Sequence, residues 1–251
     1  MQALKVEDSA AITRLALSTS PMTGPGNASR LLGAAFLAVV ATSLGGGLLQ
    51  STAVGSGGTS QMLVSIASHL SLMRLSILAD LVTSVGIIAL AVLLYTVLRN
   101  QSRIAALIAL GCWLCEAFVL AIAKIGTAAL IPISQQFVSA GAPSSSYYQT
   151  LGDFLYNGIV VQLGQTTHMF FYCVGGILWY FLFFKSDYVP RLISLFGLAA
   201  VSVGLAGIVL QFLGVSVSIF VFLPILPFEL AIGAWLMLGG IRDARLVSTQ
   251  A

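Results

Sequence analysis

Long apolar runs alternate with short polar segments along most of the chain. A helix rises about 1.5 Å per residue, so about 20 apolar residues cross the roughly 30 Å hydrocarbon core of a bilayer. Because lipid cannot satisfy backbone hydrogen-bonding groups, runs of this length form helices. The pattern predicts an all-α membrane bundle of six transmembrane helices, over residues 30–49, 72–98, 103–131, 159–184, 190–214 and 219–241.

The polar segments set the boundaries of the predicted domain. Residues 1–29 are mostly polar and rich in turn-forming residues, which predicts a mobile cytoplasmic tail. The six-helix domain covers 30–245, and 246–251 form a short C-terminal tail. Pro132 is predicted to end the third helix, because proline removes a backbone donor and clashes with the preceding turn.

The basic residues predict the orientation of the bundle. Cytoplasmic segments of membrane proteins carry an excess of Lys and Arg. Nine of the eleven lie in the two tails and two short links, which predicts that both ends are cytoplasmic and that loops 50–71 and 132–157 are outside. These nine are Lys5, Arg14, Arg30, Arg99, Arg103, Lys185, Arg191, Arg242 and Arg245.

Composition supports a membrane protein and excludes some partners. The chain is 58% hydrophobic and 8% charged, with a mean hydropathy of +1.01, whereas soluble domains carry about 25% charged residues. Its net charge is only +3 and its basic residues are scattered, so no nucleic-acid partner is predicted. The cysteines lie inside apolar runs, which does not indicate a disulfide framework.

Ionisable residues inside the predicted spans are the candidate functional residues. Each costs about 2.5–3.5 kcal/mol at the bilayer centre and usually faces the bundle interior. Counted at about 1.5 Å per residue from the cytoplasmic ends, they lie between the midplane and the outer surface. This layer predicts an outward-facing polar pocket or network of Arg74, Asp80, Glu116, Lys124, His168 and Glu229.

Two interpretations of this layer stay open. The charges form a binding pocket, or they pair across helices and only stabilise the bundle. Arg74 and Lys124 can also extend to the outer interface, whereas Glu116 and Glu229, about 20 Å from the inner surface, cannot. Glu116, on the same helix as Lys124 and two turns away, is expected to be a static anchor, and Glu229, beside the segment of Pro224 and Pro227, a proton carrier.

Two prolines interrupt the sixth predicted helix. Pro224 and Pro227 have no backbone donor, so the carbonyls of Phe220 and Leu223 lose their usual helical partners. An interrupted helix beside a carboxylate is typical of transporter binding sites. An ordinary proline kink near the helix end is the slightly favoured alternative.

No metal or cofactor site is predicted. Cys112 and Cys115 have a spacing that could bind metal or haem or support redox chemistry, but the favoured interpretation is that they are small core residues. The two histidines, His69 and His168, differ in estimated depth by about 20 Å, which argues against a shared metal or haem. Residues 45–47 (GGG) indicate close helix contact.

Several segments resemble a bacterial family of six-helix integral membrane proteins known only as a domain of unknown function. The resemblance covers about residues 30–241, and five of the six candidate residues, all except Lys124, fall on the family's motif positions. It implies a multi-pass protein of the bacterial inner (plasma) membrane and no particular activity. The segments are RLSILAD (74–80), RIAALIALGCWLCEA (103–117), QTTHMFF (165–171), FKSDYVPRLISLFG (184–197) and PFELAIGAWLMLGG (227–240).

Three functions are compatible with these observations. The favoured one is binding or transport of a small or amphipathic molecule, with the bilayer and a small-molecule or lipid ligand as partners. The second is an intramembrane enzyme with Glu116 or Glu229 as acid/base and His168 as its partner, which lacks an identifiable nucleophile. The third is an accessory subunit that forms homo-oligomers or contacts a partner membrane subunit.

Overall fold

The computed structural model describes residues 25–144 and 147–240, which are almost entirely helical. Six of its helical segments are long and apolar enough to cross a membrane, which confirms the predicted all-α fold. The predicted orientation of the ends remains a prediction, and most of both tails lies outside the described residues. The elements are α1 (Pro25–Val54), α2 (Thr59–Ser68), α3 (Leu70–Leu98), α4 (Arg103–Ser139), α5 (Tyr147–Asp153), a π-helical segment (Phe154–Thr167), α6 (His168–Ser186), α7 (Arg191–Phe212), a 3-10 turn (Ile219–Val221) and α8 (Ile225–Leu238).

The long helices form a closed ring in chain order. Helix α1 packs on α3, α3 on α4, α4 on α6, α6 on α7, α7 on α8, and α8 returns to α1. Large apolar side chains such as Leu48, Val85, Ile125 and Leu192 are exposed on the outside of this ring. Such a surface suits contact with lipid, since hydrocarbon is as apolar as the side chains that face it.

Aromatic side chains fill the interior of the ring. Trp113 of α4 and Trp179 of α6 are fully buried and meet edge to face, with 6.2 Å between ring centroids. Phe36 of α1 contacts the other side of Trp113 at 6.4 Å, and Phe228 of α8 packs on Tyr180 at 4.4 Å. Aromatic contacts between four helices thus fix the positions of the polar residues beside them.

The predicted end of the third span at Pro132 is wrong. Helix α4 continues through Pro132 to Ser139, and its 37 residues reach about 55 Å, well beyond the hydrocarbon core. Leu130 and Phe137, on either side of the proline, are fully buried with residues of α2 and the π-helical segment. This packing stabilises the last turns and offsets the hydrogen bond and the steric clash that Pro132 costs the helix.

The fourth span also differs from its predicted range of 159–184. It begins at Tyr147 and includes the π-helical segment from Phe154 to Thr167. In this segment each backbone N–H bonds to the carbonyl five residues earlier, as His168 does to Leu163. Because a π-helix is wider than an α-helix, the segment changes which side chains face the interior. Such segments are frequent at functional sites.

The sixth span is interrupted at its two prolines, although an ordinary proline kink is the slightly favoured expectation from the sequence. A 3-10 turn at Ile219–Val221 is followed by a short break, and α8 begins at Ile225 with Pro224 as its cap. Pro224 and Pro227 therefore lie at the start of α8, where backbone N–H groups have no partner within the helix. Their missing N–H groups cost α8 no internal hydrogen bond. Helix α8 has only 14 residues, whereas its neighbour α1 has 30, so part of α1 is left without α8 beside it.

Candidate functional site

An ion pair in the interior joins α3 and α4. Nζ of Lys124 lies 2.5 Å from Oδ2 of Asp80, and the side chains are 6% and 11% exposed. The same ammonium donates to Oε1 of Gln50 on α1, at 3.3 Å. Three helices are therefore linked through Lys124, which is buried and does not reach the outer interface.

Gly46 gives this ion pair its space. A Cβ atom at Gly46 would collide with Oδ1 of Asp80, because α1 and α3 approach closely at this point. Thr83 donates to Thr42 at 2.8 Å one turn away and holds the same two helices together. The close helix contact predicted for residues 45–47 is confirmed at Gly46, which is buried.

A second polar cluster surrounds Glu229 on α8. The hydroxyl of Tyr172 donates to Oε1 of Glu229 at 2.8 Å and lies 3.3 Å from the hydroxyl of Tyr180. A hydroxyl has one proton to donate, so Tyr180 is the donor in the second bond. The resulting chain runs from Tyr180 through Tyr172 to the carboxylate.

Trp113 fixes the position of Tyr172. Its ring stacks on the tyrosine ring with centroids 5.8 Å apart and planes 9° apart, and its Nε1–H donates to the backbone carbonyl of Tyr172 at 3.2 Å. Because Trp113 contacts both the ring and the backbone carbonyl of Tyr172, the tyrosine has little freedom to move away from Glu229. Glu229 is therefore the anchored carboxylate of the site.

Glu116 is the carboxylate without a partner. It is 5% exposed, and its Oε2 accepts no hydrogen bond from the described residues. The partners differ from those expected: Lys124 pairs with Asp80 rather than Glu116, while Tyr172 donates to Glu229. The difference follows from helix rotation, since Lys124 and Glu116 share α4 but Lys124 is directed at α3.

Glu116 and Glu229 line one cavity of about 100 Å³ at the centre of the bundle. We call it the central cavity, and its polar and aromatic lining comprises Ser43, Thr83, Trp113, Glu116, His168, Tyr172 and Glu229. A second cavity of about 220 Å³, the Lys124 cavity, is lined by Gln50, Asp80, Lys124, Tyr156, Gln165 and His168, among others. His168 and Ser43 line both, so the two cavities adjoin.

A third cavity lies between α1 and α8. This α1/α8 crevice has a volume of about 160 Å³ and opens at the side of the bundle. It shares Glu229 with the central cavity, and most of its lining is apolar. Its residues are Val40, Ser43, Leu44, Met169, Phe222, Ile225, Leu226 and Glu229.

The crevice follows from how α1 and α8 meet. A Cβ atom on Gly33 would lie 2.6 Å from the carbonyl oxygen of Gly233, so the two backbones touch near the start of α1 and the end of α8. Toward Leu44 the neighbouring helix is missing, because α8 begins only at Ile225. The proline-interrupted segment thus leaves a lateral opening beside Glu229.

The remaining candidates lie apart from this site or at its edge. Arg74 is exposed and lines none of these three cavities, so its predicted place in the interior network is wrong. Cys112 is half-buried and Cys115 exposed on α4, while Cys173 is buried in α6; all three are free thiols. His168 joins the two polar clusters through the cavities, and its Nδ1 has no hydrogen-bond partner among the described residues.

Sequence reasoning missed Gln50, Tyr172 and Tyr180. The tyrosines had a usable signal: His168, Tyr172 and Tyr180 recur at multiples of four residues, which places them along one stripe of a helix. Gln50 had none, because a single uncharged side chain near a helix end is common. Across 25–144 and 147–240, no group of three or more His, Cys, Asp and Glu side chains is positioned to hold a metal ion.

Comparison with known proteins identifies the family of the chain. None of the curated proteins and none of the solved structures matches the chain. A family profile described as a domain of unknown function, DUF4386, matches residues 31–240 and so covers most of the chain and at least part of every helix of the ring. The chain therefore belongs to the DUF4386 family, and six of its helical segments are long and apolar enough to cross a membrane.

Proposed function

We propose that this protein binds a small amphipathic molecule in the central cavity, as a membrane binding protein or transporter, and admits it through the α1/α8 crevice. One observation carries the proposal. The buried Oε2 of Glu116 has no hydrogen-bond partner among the described residues, and Glu116 is one of the residues that line a cavity that continues into a lateral opening. A buried polar atom without a partner costs about 1–3 kcal/mol, which a bound ligand with a donor would recover.

The apolar lining of the crevice supports an amphipathic rather than a fully polar ligand. Leu44, Phe222 and Leu226 line the opening, whereas the carboxylates lie further inside. A molecule that enters from the lipid would keep its apolar part between α1 and α8. Its polar group would then contact Glu116 and Glu229. Ligand pockets are usually of this kind, with a mostly apolar lining and a few polar groups that orient the ligand.

We further propose that the protein resides in the bacterial plasma membrane, with both ends in the cytoplasm. The resemblance to bacterial membrane proteins and the excess of Lys and Arg in links 99–103 and 185–191 support this placement. The lateral crevice would then open in the outer half of the bilayer, since Leu44 lies on the outer part of α1.

The crevice is tested with a matched pair of substitutions on α1. Leu44→Trp should fill the opening, whereas Leu48→Trp, one turn further and 68% exposed, lies outside the cavities. Saturable binding of a dansyl-labelled decylamine, with the dansyl group at the far end of the chain so that the ammonium group stays free, to protein in phosphatidylcholine nanodiscs is followed by dansyl anisotropy. We expect Leu44→Trp to weaken binding at least tenfold and Leu48→Trp to leave it within about twofold of the unsubstituted protein.

Other results would contradict the proposal. Binding that does not saturate, or that Leu44→Trp leaves unchanged, would exclude the crevice as the route. A stoichiometric partner chain that co-purifies and covers α1 and α8 would favour the accessory-subunit function instead. Turnover of an added substrate that needs Glu116 and His168 would favour the enzyme.

A further inference from the structure

We infer that the ligand of the central cavity is an organic cation, an amphipathic amine whose ammonium group lies between Glu116 and Glu229 while its apolar chain occupies the α1/α8 crevice. This inference rests on the proposed function and names the chemical class of its ligand. It is carried by the charges, hydrogen bonds and shape of the cavity.

The central cavity is lined by more acidic than basic side chains. Two carboxylates line it, and His168 is the only basic side chain among its lining residues. Lys124 lines the neighbouring cavity, where Asp80 already neutralises it. Charges buried in a membrane protein are stable when paired, so this cavity favours an occupant that brings positive charge.

The hydrogen bonds of the two carboxylates are unequally satisfied. Glu229 accepts from Tyr172, which Trp113 in turn holds in place. Glu116 faces the same cavity with an oxygen that accepts from none of the described residues. An ammonium group has donors and no acceptor, and it therefore complements a site in which acceptors are in excess.

The aromatic lining favours the same class of ligand. The rings of Trp113 and Tyr172 border the central cavity beside the carboxylates. Aromatic faces attract ammonium groups, and this attraction is largest where water is excluded. A sulfate or carboxylate head group would instead meet two carboxyl groups and no Lys or Arg side chain.

The shape of the site selects an amine with an apolar chain. Glu229 lines both the central cavity and the crevice, so a head group that contacts Glu229 lies at the inner end of the opening. The crevice beyond it is lined mainly by aliphatic and aromatic side chains, such as Leu44 and Phe222. A proton or an inorganic cation would satisfy the charge but would leave this apolar surface unused.

The test compares ligands that share one chain and differ in charge. Decylammonium, decanol and decyl sulfate compete with the dansyl-labelled decylamine for protein in phosphatidylcholine nanodiscs. We expect decylammonium to compete at least tenfold more strongly than the other two. Glu116→Gln should reduce this advantage at least fivefold and leave competition by decanol unchanged, which also shows that the variant is folded.

Two control variants separate the site from general charge effects. Asp187→Asn removes one exposed carboxylate from the link between α6 and α7, and it should keep the full preference for decylammonium. Glu116→Asp retains the charge and should keep more of the preference than Glu116→Gln does.

Several outcomes would overturn the inference. Equal competition by decanol and decylammonium would remove the charge preference but leave the proposed binding site intact. A preference that survives in Glu116→Gln combined with Glu229→Gln would place the charge recognition elsewhere. Displacement of decylammonium by sodium or potassium chloride, but not by an impermeant salt of equal ionic strength, would assign the site to an inorganic cation. Absence of saturable binding by any probe would instead refute the proposed function.

Discussion

Lys124→Met should be among the most destabilising single substitutions in the interior. It removes the ammonium group that Asp80 contacts at 2.5 Å and leaves the Asp80 side chain buried, at 11% exposure. Methionine has nearly the volume of lysine without its charge, so lost packing contributes little. The variant therefore isolates the cost of an unpaired charge.

The magnitude follows from the burial of both partners. Loss of one partner from a buried ion pair costs about 3–5 kcal/mol. At about 1.36 kcal/mol per tenfold change, the fraction of unfolded protein should rise by a factor of roughly 150 to 5,000. The double variant Asp80→Asn with Lys124→Met should recover at least half of this loss, since asparagine fits beside Gly46 and carries no charge.

Unfolding in detergent micelles, followed by tryptophan fluorescence, measures these differences. Trp113 and Trp179 are buried in the core and report its loss of packing. Lys185→Met removes an exposed lysine at the end of α6 and serves as the control, with an expected change within about 0.5 kcal/mol. The reasoning is refuted if Lys124→Met is no more destabilising than this control, or if the double variant is no more stable than Lys124→Met.

Three further predictions concern other parts of the chain. Gly46→Ala should destabilise the bundle by about 1–3 kcal/mol in the same assay, because its methyl group collides with Asp80; an unchanged stability would show that α1 and α3 can separate freely. In a cysteine-free background, single cysteines in 144–149 should react with an impermeant maleimide from outside and those in 185–191 should not, and the reverse pattern would invert the predicted orientation. Replacement of both thiols in the 112–115 turn by serine should leave binding of the dansyl probe within about twofold, whereas a large loss would indicate chemistry at these cysteines.

The two interpretations of the buried charges apply to different residues. Asp80 and Lys124 satisfy each other and link α1, α3 and α4 through Gln50, which is a structural arrangement. Glu116 has an oxygen without such a partner among the described residues and lines a cavity, which is the arrangement on which the proposed binding site depends. Asp80, Lys124 and Glu116 are all ionisable residues within the helices. What distinguishes Glu116 is that one of its oxygens has no partner among the described residues.

The sequence alone determined the helical architecture of this protein. Six long apolar runs had to become helices, since the bilayer offers no other partner for backbone groups. It also located the interruption before Glu229, because Pro224 and Pro227 cannot donate backbone hydrogen bonds wherever they lie. The concentration of ionisable residues in the interior followed in the same way, from the cost of exposing charge to lipid.

Only the tertiary structure decided which charges meet. Lys124 is close to Glu116 in sequence, yet it pairs with Asp80, because pairing depends on the rotation of α4 and on which helix lies beside it. The π-helical segment before His168 shifts the faces of the fourth span, which a period of 3.6 residues per turn cannot anticipate. The passage of α4 through Pro132 likewise depends on burial of Phe137 against elements distant in sequence. Such contacts join residues far apart in the chain, and local patterns contain no information about them.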